Sequence, residues 1–298
     1  MANVYTSADQ IDFTLKELPA MPVPQKVMMV KPTYFDVTYV INPHMSGHVG
    51  MVDTIQAGNE WNSLLDGFKE LGFEMVVLDG QEGLPDMVFC ANQSLPFCDE
   101  RGDKKVIMGI MYTPERKEEV PFIEQWFRQN GYEVYHLDEK KVNAFEGMGD
   151  GIWHFKRQLL WGGYGIRTSF DAYEQISNIL DVPVIALELK DERFYHLDTC
   201  FCSLDEKSVL IYPNAFSTEG LSMIHALYEN VIEAGIDEAE KLLAVNAVAP
   251  DGKNVLIQRG CTDVNNKLLD HGFNVHEFST DEFLKSGGSV FCMKLLLW

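Results

Sequence analysis

The chain has 298 residues, with 24 Lys and Arg against 45 Asp and Glu, a net charge of −21 and a pI near 4.7. That balance argues against a nucleic-acid or anionic-membrane surface, because both need clustered cations. No apolar run approaches the ~18 residues of a membrane span, and Met1 to Gln25 lacks the basic and apolar segments of a secretory signal. The six cysteines form no CxxC pair, so they read as reduced thiols of a cytoplasmic protein.

Residues 1–25 read as an extension ahead of the fold. Tyr39-Val40-Ile41-Asn42-Pro43-His44-Met45 ends a first β run, where Pro43 stops the strand. A unit then recurs: a helical stretch ends in Gly, an aromatic follows, and a short β run begins. It occurs at Leu71-Gly72-Phe73 before Glu74–Asp79, at Asn130-Gly131-Tyr132 before Glu133–Asp138, and at His271-Gly272-Phe273 before Asn274–Phe278. Glycine caps a last helical turn in the left-handed conformation, and alternating Val, Phe and Tyr suit a strand. Two looser transitions are expected, from Tyr173–Ile179 into Val182–Leu187 and from Ser222–Glu233 into Lys241–Val245. Five such repeats suggest radial or stacked repetition of one α/β unit, although many α/β folds place Gly between helix and strand. No GxGxxG or GxxxxGK[ST] motif supports a nucleotide-binding alternative.

The loops between these units are dense in chemistry. Leu84–Gln93 carries Asp86, Asn92 and Gln93, and Phe145–Asp150 brackets two glycines with Glu146 and Asp150. Gly162–Thr168 presents Arg167, and Phe194–Phe201 holds His196 and Asp198 two apart, hence on one face if that segment is a strand. Near the C-terminus Ser286-Gly287-Gly288-Ser289 leads into an apolar β-type run carrying Cys292. Cys292 alone reads as a buried strand cysteine; with five polar loops converging it reads as a nucleophile. His44 and His48 have helix-compatible zinc spacing, but Pro43 and Gly47 argue for a loop and no metal is expected.

Cys with His is a nucleophile–base pair, yet neighbouring carboxylates raise a thiol's pKa. A planar cationic substrate removes that conflict: a guanidinium has five N–H donors for carboxylates, and its charge stabilises the thiolate. The set therefore points to a guanidine-modifying site.

Glu146-Gly147-Met148-Gly149-Asp150, His196-Leu197-Asp198 and the glycine-preceded Cys292 resemble the amidinotransferase/deiminase superfamily, the pentein fold. Val37–Met45, Leu84–Asn92 and Gly163-Tyr164-Gly165-Ile166-Arg167-Thr168 resemble its arginine dihydrolase branch, found also as the N-terminal part of bifunctional cyanobacterial proteins. The resemblance runs from about Val27 to the C-terminus. It implies one catalytic α/β domain over 1–298, a pentein propeller of five ββαβ modules around a pseudo-fivefold axis. It implies Cys292 as nucleophile, His196 as general acid/base, Glu146 and Asp198 gripping the guanidinium, and Asn92 where arginine deiminases have Asp. Arg167 and Arg116 would clamp the substrate carboxylate; Arg116 reads equally as a surface residue in the first turn of a helix. Asn42, Asp86 and Asp150 would bind substrate, and Ser289 would lie beside the thiol. The implied reaction takes free L-arginine and two waters to ornithine, two ammonia and carbon dioxide, with no cofactor and no second, proline-forming domain. A homo-oligomer is compatible with this. The alternatives are a deiminase stopping at citrulline, an amidinotransferase or dimethylarginine hydrolase, and a non-catalytic binding protein.

Overall fold

The computed structural model describes residues 3–298. The strands fall into five small sheets. Four share one plan: two antiparallel strands, a helix, and a third strand parallel to the second. In the sheet of Ser94–Cys98, Lys104–Met108 and Glu133–Tyr135 the crossover helix is Val120–Gln129. The same plan links Gly151–Trp153, Leu160–Tyr164, helix Asp171–Leu180 and Val184–Glu188. It recurs in Phe201–Ser203, Ser208–Ile211, helix Thr218–Leu227 and Asn230–Glu233.

The first sheet is completed from the far end of the chain. Lys26–Val30 runs parallel to Glu74–Leu78 across helix Thr54–Glu70, and Leu295–Leu297 adds antiparallel to Lys26–Met28. This pairing anchors the segment that carries Cys292. The fifth sheet has only Asn254–Gln258 parallel to Asn274–Phe278 across helix Thr262–Asp270, with a Val248–Leu256 bridge where a first strand would lie.

Local sequence explains these elements. Asp53 caps Thr54–Glu70 by accepting from the amides of Ile55 and Gln56, and Ala57, Trp61, Leu64, Leu65 and Phe68 form its buried stripe. Gly72 ends the unit at φ +89°, a conformation a side chain would strain. One contiguous apolar core joins residues of all five sheets, from Met21 to Trp298. Removing a fully buried side chain such as Leu64 costs about 2–5 kcal/mol.

Three glycine-punctuated transitions and the one into Val184–Glu188 lie where the sequence places them. The transition expected at Ser222–Lys241 does not. That helix ends at Leu227, the strand is Asn230–Glu233, and Lys241–Val245 is the end of a short helix and a turn. The first β run also ends earlier than expected: Val30 closes the strand, and Asn42 caps a 3-10 helix at Pro43–Met45. The N-terminal extension is partly knitted in, with Val4–Tyr5 parallel to Val184–Ile185 and Met21 buried. Among the described residues no helix is long and apolar enough to cross a membrane.

Candidate active site

Cys292 lies in a turn, three residues before the last strand, rather than in the strand itself. The loop ahead of it is held by distant side chains. Asn42 Nδ2 donates to Ser286 O (3.0 Å), Tyr195 OH to Gly287 O (2.7 Å), and Ser286 Oγ to Asp86 Oδ1 (3.0 Å). Gly287 sits at φ +83°, and a Cβ there would come within 2.8 Å of Asn42 Oδ1, so glycine is required.

Asn246 frames the sulfur. Its Oδ1 accepts from the amides of Ser289 (3.0 Å) and Cys292 (3.3 Å), while Nδ2 donates to Cys292 Sγ (3.2 Å) and Asp198 O (3.0 Å). The thiol donates to Asp198 Oδ2 at 3.2 Å, and Asp198 Oδ1 is buried with no partner. Burial and the Asp198 charge push the thiol well up. Burial likewise pushes Asp198 up to about 7, against the hydrogen bond from Cys292 and the charge of Lys294.

His196 and Asp198 belong to a 3-10 turn, Leu197–Thr199 with His196 as its N-cap, and not to a strand. His196 Nε2 lies 2.6 Å from Glu146 Oε2, so the carboxylate makes this nitrogen the proton carrier and leaves Nδ1 to accept from Asn92 Nδ2 at 3.5 Å. Glu146 Oε1 accepts from Tyr112 N, and Oε2 also meets Arg167 Nη1 at 3.3 Å. Burial alone would push Glu146 up, but the His196 hydrogen bond and the His196, Arg167 and Arg116 charges outweigh it and hold it at about 2. Glu146 thus supports the imidazole through Oε2, and Oε1 accepts from the Tyr112 amide alone.

Arg116 is buried, not on the surface. It pairs with Glu119 and donates to the carbonyls of Asp86 and Phe89, and its Nη1 donates to Asn92 Oδ1 at 2.8 Å. That bond fixes the Asn92 amide, whose oxygen faces Arg116 and whose NH2 faces His196. Arg167 donates to Ile41 O (2.7 Å) and stacks over Tyr195 at 4.9 Å. A small cavity touches Asn42, Asp86, Asn92, Arg116, Arg167 and Cys292 together.

Asp150 and Ser289 also make contacts within the protein. Both oxygens of Asp150 are engaged within the protein, by Thr168 Oγ1 (2.7 Å) and Leu197 N (2.9 Å), so it braces the His196–Asp198 turn. Ser289 lies beside the thiol as expected: its amide joins the Asn246 frame and hydrogen-bonds Cys292, while its hydroxyl turns to Thr280 Oγ1 at 2.7 Å. His44 lies in the 3-10 helix Pro43–Met45 rather than in a loop, with its Nε2 on Arg193 O, and His48 Nδ1 bonds His44 O; among the described residues no His, Cys, Asp and Glu group is placed to hold a metal.

The family profile "N,N dimethylarginine dimethylhydrolase, eukaryotic" matches residues 47–297. The chain belongs to this pentein family. Family members alike in sequence include the bifunctional arginine dihydrolase/ornithine cyclodeaminase ArgZ of Synechocystis, 35% identical over 271 residues, which are 91% of this chain and 37% of that protein. The chain thus spans little more than a third of the bifunctional relatives. The N(G),N(G)-dimethylarginine dimethylaminohydrolase of Mycobacterium tuberculosis is 33% identical over 295 residues, covering 99% of this chain and 92% of that one. Among solved pentein structures, the N-terminal domain of the cyanobacterial arginine dihydrolase ArgZ, as a cysteine-to-serine mutant bound to substrate, matches with TM-score 0.85 and 35% identity over 91% of this chain and 97% of that one.

Sequence reasoning missed Asn246, which frames the thiol, and Lys294, a fully buried cation two residues past Cys292. Asn246 had a signal, a lone amide inside the apolar run Leu243–Val248. Lys294 had a comparable one, a cation between Met293 and Leu295.

Proposed function

We propose that the chain is a cysteine-dependent hydrolase of free L-arginine that works through two cycles to ornithine, two ammonia and carbon dioxide. We further propose that residues 1–298 act as one catalytic domain, with its ββαβ units arranged as blades about a pseudo-fivefold axis. The observation that carries the activity is the Cys292 thiol resting on Asp198, whose second oxygen is buried and bare, in a site that also holds the Glu146-backed His196. A buried unpaired carboxylate oxygen is costly, and an N–H of a guanidinium satisfies it.

The substrate's charge against Asp198 offsets the repulsion that holds the thiol protonated, and His196 takes the proton. Cys292 Sγ then bonds to the guanidinium carbon, and a C–N bond breaks as His196 returns the proton to the departing ammonia. Water attacks the resulting amidino adduct, the C–S bond breaks, and a neutral ureido group remains. Asn92 determines whether that group is released or retained. With its oxygen held by Arg116, it offers the site an N–H donor, which suits a urea oxygen better than a guanidinium. The retained ureido carbon takes a second attack by Cys292 and releases a second ammonia. Water then frees a carbamate, which loses carbon dioxide to leave ornithine. These steps call on no metal or organic cofactor, and the partner they need is the small substrate. All six cysteines are free and buried, in keeping with a cytoplasmic setting.

The test is to incubate the protein with arginine and follow ornithine, citrulline and ammonia, beside Cys292→Ala and Asn92→Asp. Two ammonia per ornithine supports the reading, with no turnover by Cys292→Ala and citrulline accumulating with Asn92→Asp. Citrulline alone from the unmodified protein makes it a deiminase. Turnover of a methylated arginine but not of arginine makes it a dimethylarginine hydrolase, as the family profile suggests.

A further inference from the structure

Lys294 is fully buried, and its Nζ has no hydrogen-bond partner. It follows the nucleophile by two residues, and its Nζ stands 3.0 Å above the centre of the Phe291 ring. The group that couples to it most strongly is Asp198, followed by the thiols of Cys90, Cys292 and Cys202 should they ionise. An unpaired buried lysine is expensive, since both the charged and neutral forms lose water without a compensating acceptor. Met or Leu would fill the same volume in an apolar core at no such cost.

We propose that Lys294 is the resident cation of the active site, a positioning residue that acts through Asp198 and Cys292 to keep a thiolate accessible once the substrate has become neutral. The inference rests on the two-cycle reading. In the first cycle the guanidinium brings its own positive charge to Asp198. In the second the ureido group brings none, and Arg116 and Arg167 are already paired with Glu119 and Glu146. Lys294 is the buried cation of this region without an anion of its own. In the second attack Sγ gives its proton to His196 and bonds to the ureido carbon, and the C–N bond to ammonia breaks with that proton returned. The ammonium of Lys294 offsets the negative charge that Asp198 and the thiolate then share. Burial draws Lys294 down to about 7, against the opposing pull of Asp198 and the three thiols, so its charge is sensitive to what binds beside it.

The test compares Lys294→Met, which keeps length and loses charge, with Lys294→Arg, which keeps charge. Initial rates are measured separately on arginine and on citrulline, together with the pH profile of Cys292 alkylation by iodoacetamide. Lys294→Gln replaces Lys294→Met should the latter not fold. The expected result is a citrulline rate that falls at least tenfold more than the arginine rate, and an alkylation midpoint moved to higher pH, with Lys294→Arg close to the unmodified protein. Equal losses on both substrates, or an Arg variant as impaired as the Met variant, would make Lys294 a packing residue and overturn the proposal. If the unmodified protein makes no ornithine, the two-cycle reading fails on its own. The alkylation midpoint then decides Lys294: a shift in Lys294→Met retains it as the thiol's counter-charge, and no shift removes it.

Discussion

The active site has two sides built on opposite principles. On one, Glu146 is closed off by His196, Arg167 and the Tyr112 amide, and is held at about 2. On the other, Asp198 keeps one oxygen bare beside a protonated thiol and is pushed up to about 7. The two carboxylates are equally buried, so burial does not separate them; their partners do. The Glu146 side is finished before substrate arrives and fixes the imidazole tautomer. The Asp198 side is left incomplete, and in the proposed reaction a cationic substrate completes it. Preorganisation on one side and an unmet electrostatic demand on the other is what the proposed binding of a guanidinium requires.

The largest effect should come from breaking the finished side. Glu146→Gln keeps the shape but gives His196 Nε2 an ambiguous partner and frees the wrong tautomer, so kcat should fall on the order of 10³–10⁴-fold with KM little changed, as when a triad carboxylate becomes an amide. Steady-state kinetics on arginine check this, and a loss under tenfold would show that Glu146 does not orient the imidazole. Asn246→Ala comes next. It removes the frame from Ser289 N, Cys292 N and the sulfur, and should cost about 10²-fold in kcat with about 1–3 kcal/mol of stability from the orphaned amides. Denaturant midpoints measured alongside rates separate the two.

The pH dependence of stability sharpens the contrast, because the two acids act with opposite sign. Glu146 has a depressed native pKa, so its stabilisation is present above about 4.5 and is lost as pH falls toward about 2. Asp198 has a raised native pKa, so the native state holds a proton the unfolded chain releases, and stability falls as pH rises from about 4 through about 7. In Asp198→Asn the second decline should shrink while the acid decline persists. Thermal midpoints across pH 3–8 check it, and an unchanged decline above pH 4 would contradict the assignment. Smallest is Ser289→Ala: with the hydroxyl turned to Thr280, activity should change by less than about threefold and stability by about 1 kcal/mol.

The repeat was legible in the sequence where glycine and an aromatic mark the helix end, as at Gly72, Gly131 and Gly272. It was misplaced at Leu227, where Tyr228 takes an extended conformation and no glycine marks the break. In the run Lys241–Val245, expected as a strand, Leu243, Ala244 and Val245 are buried for another reason, delivering Asn246 to the thiol across 46 residues. No local spacing encodes that contact. The motif residues Asn92, Glu146, His196, Asp198 and Cys292 do gather in one site, but their division of labour depended on which oxygens were already occupied. Arg116 holds the acceptor of Asn92, and Thr168 and Leu197 donate to Asp150, and a linear sequence does not show those contacts.

The central claim is that Cys292 bonds covalently to the guanidinium carbon held against Asp198. The most direct measurement is peptide mass spectrometry of the protein quenched in acid during turnover of arginine. An added mass matching the amidino or carbamoyl adduct should appear on the peptide containing Cys292, vanish when substrate is exhausted, and be absent from Cys292→Ala. Turnover with Cys292 unmodified at every quench time, or an adduct on another cysteine, would contradict the account.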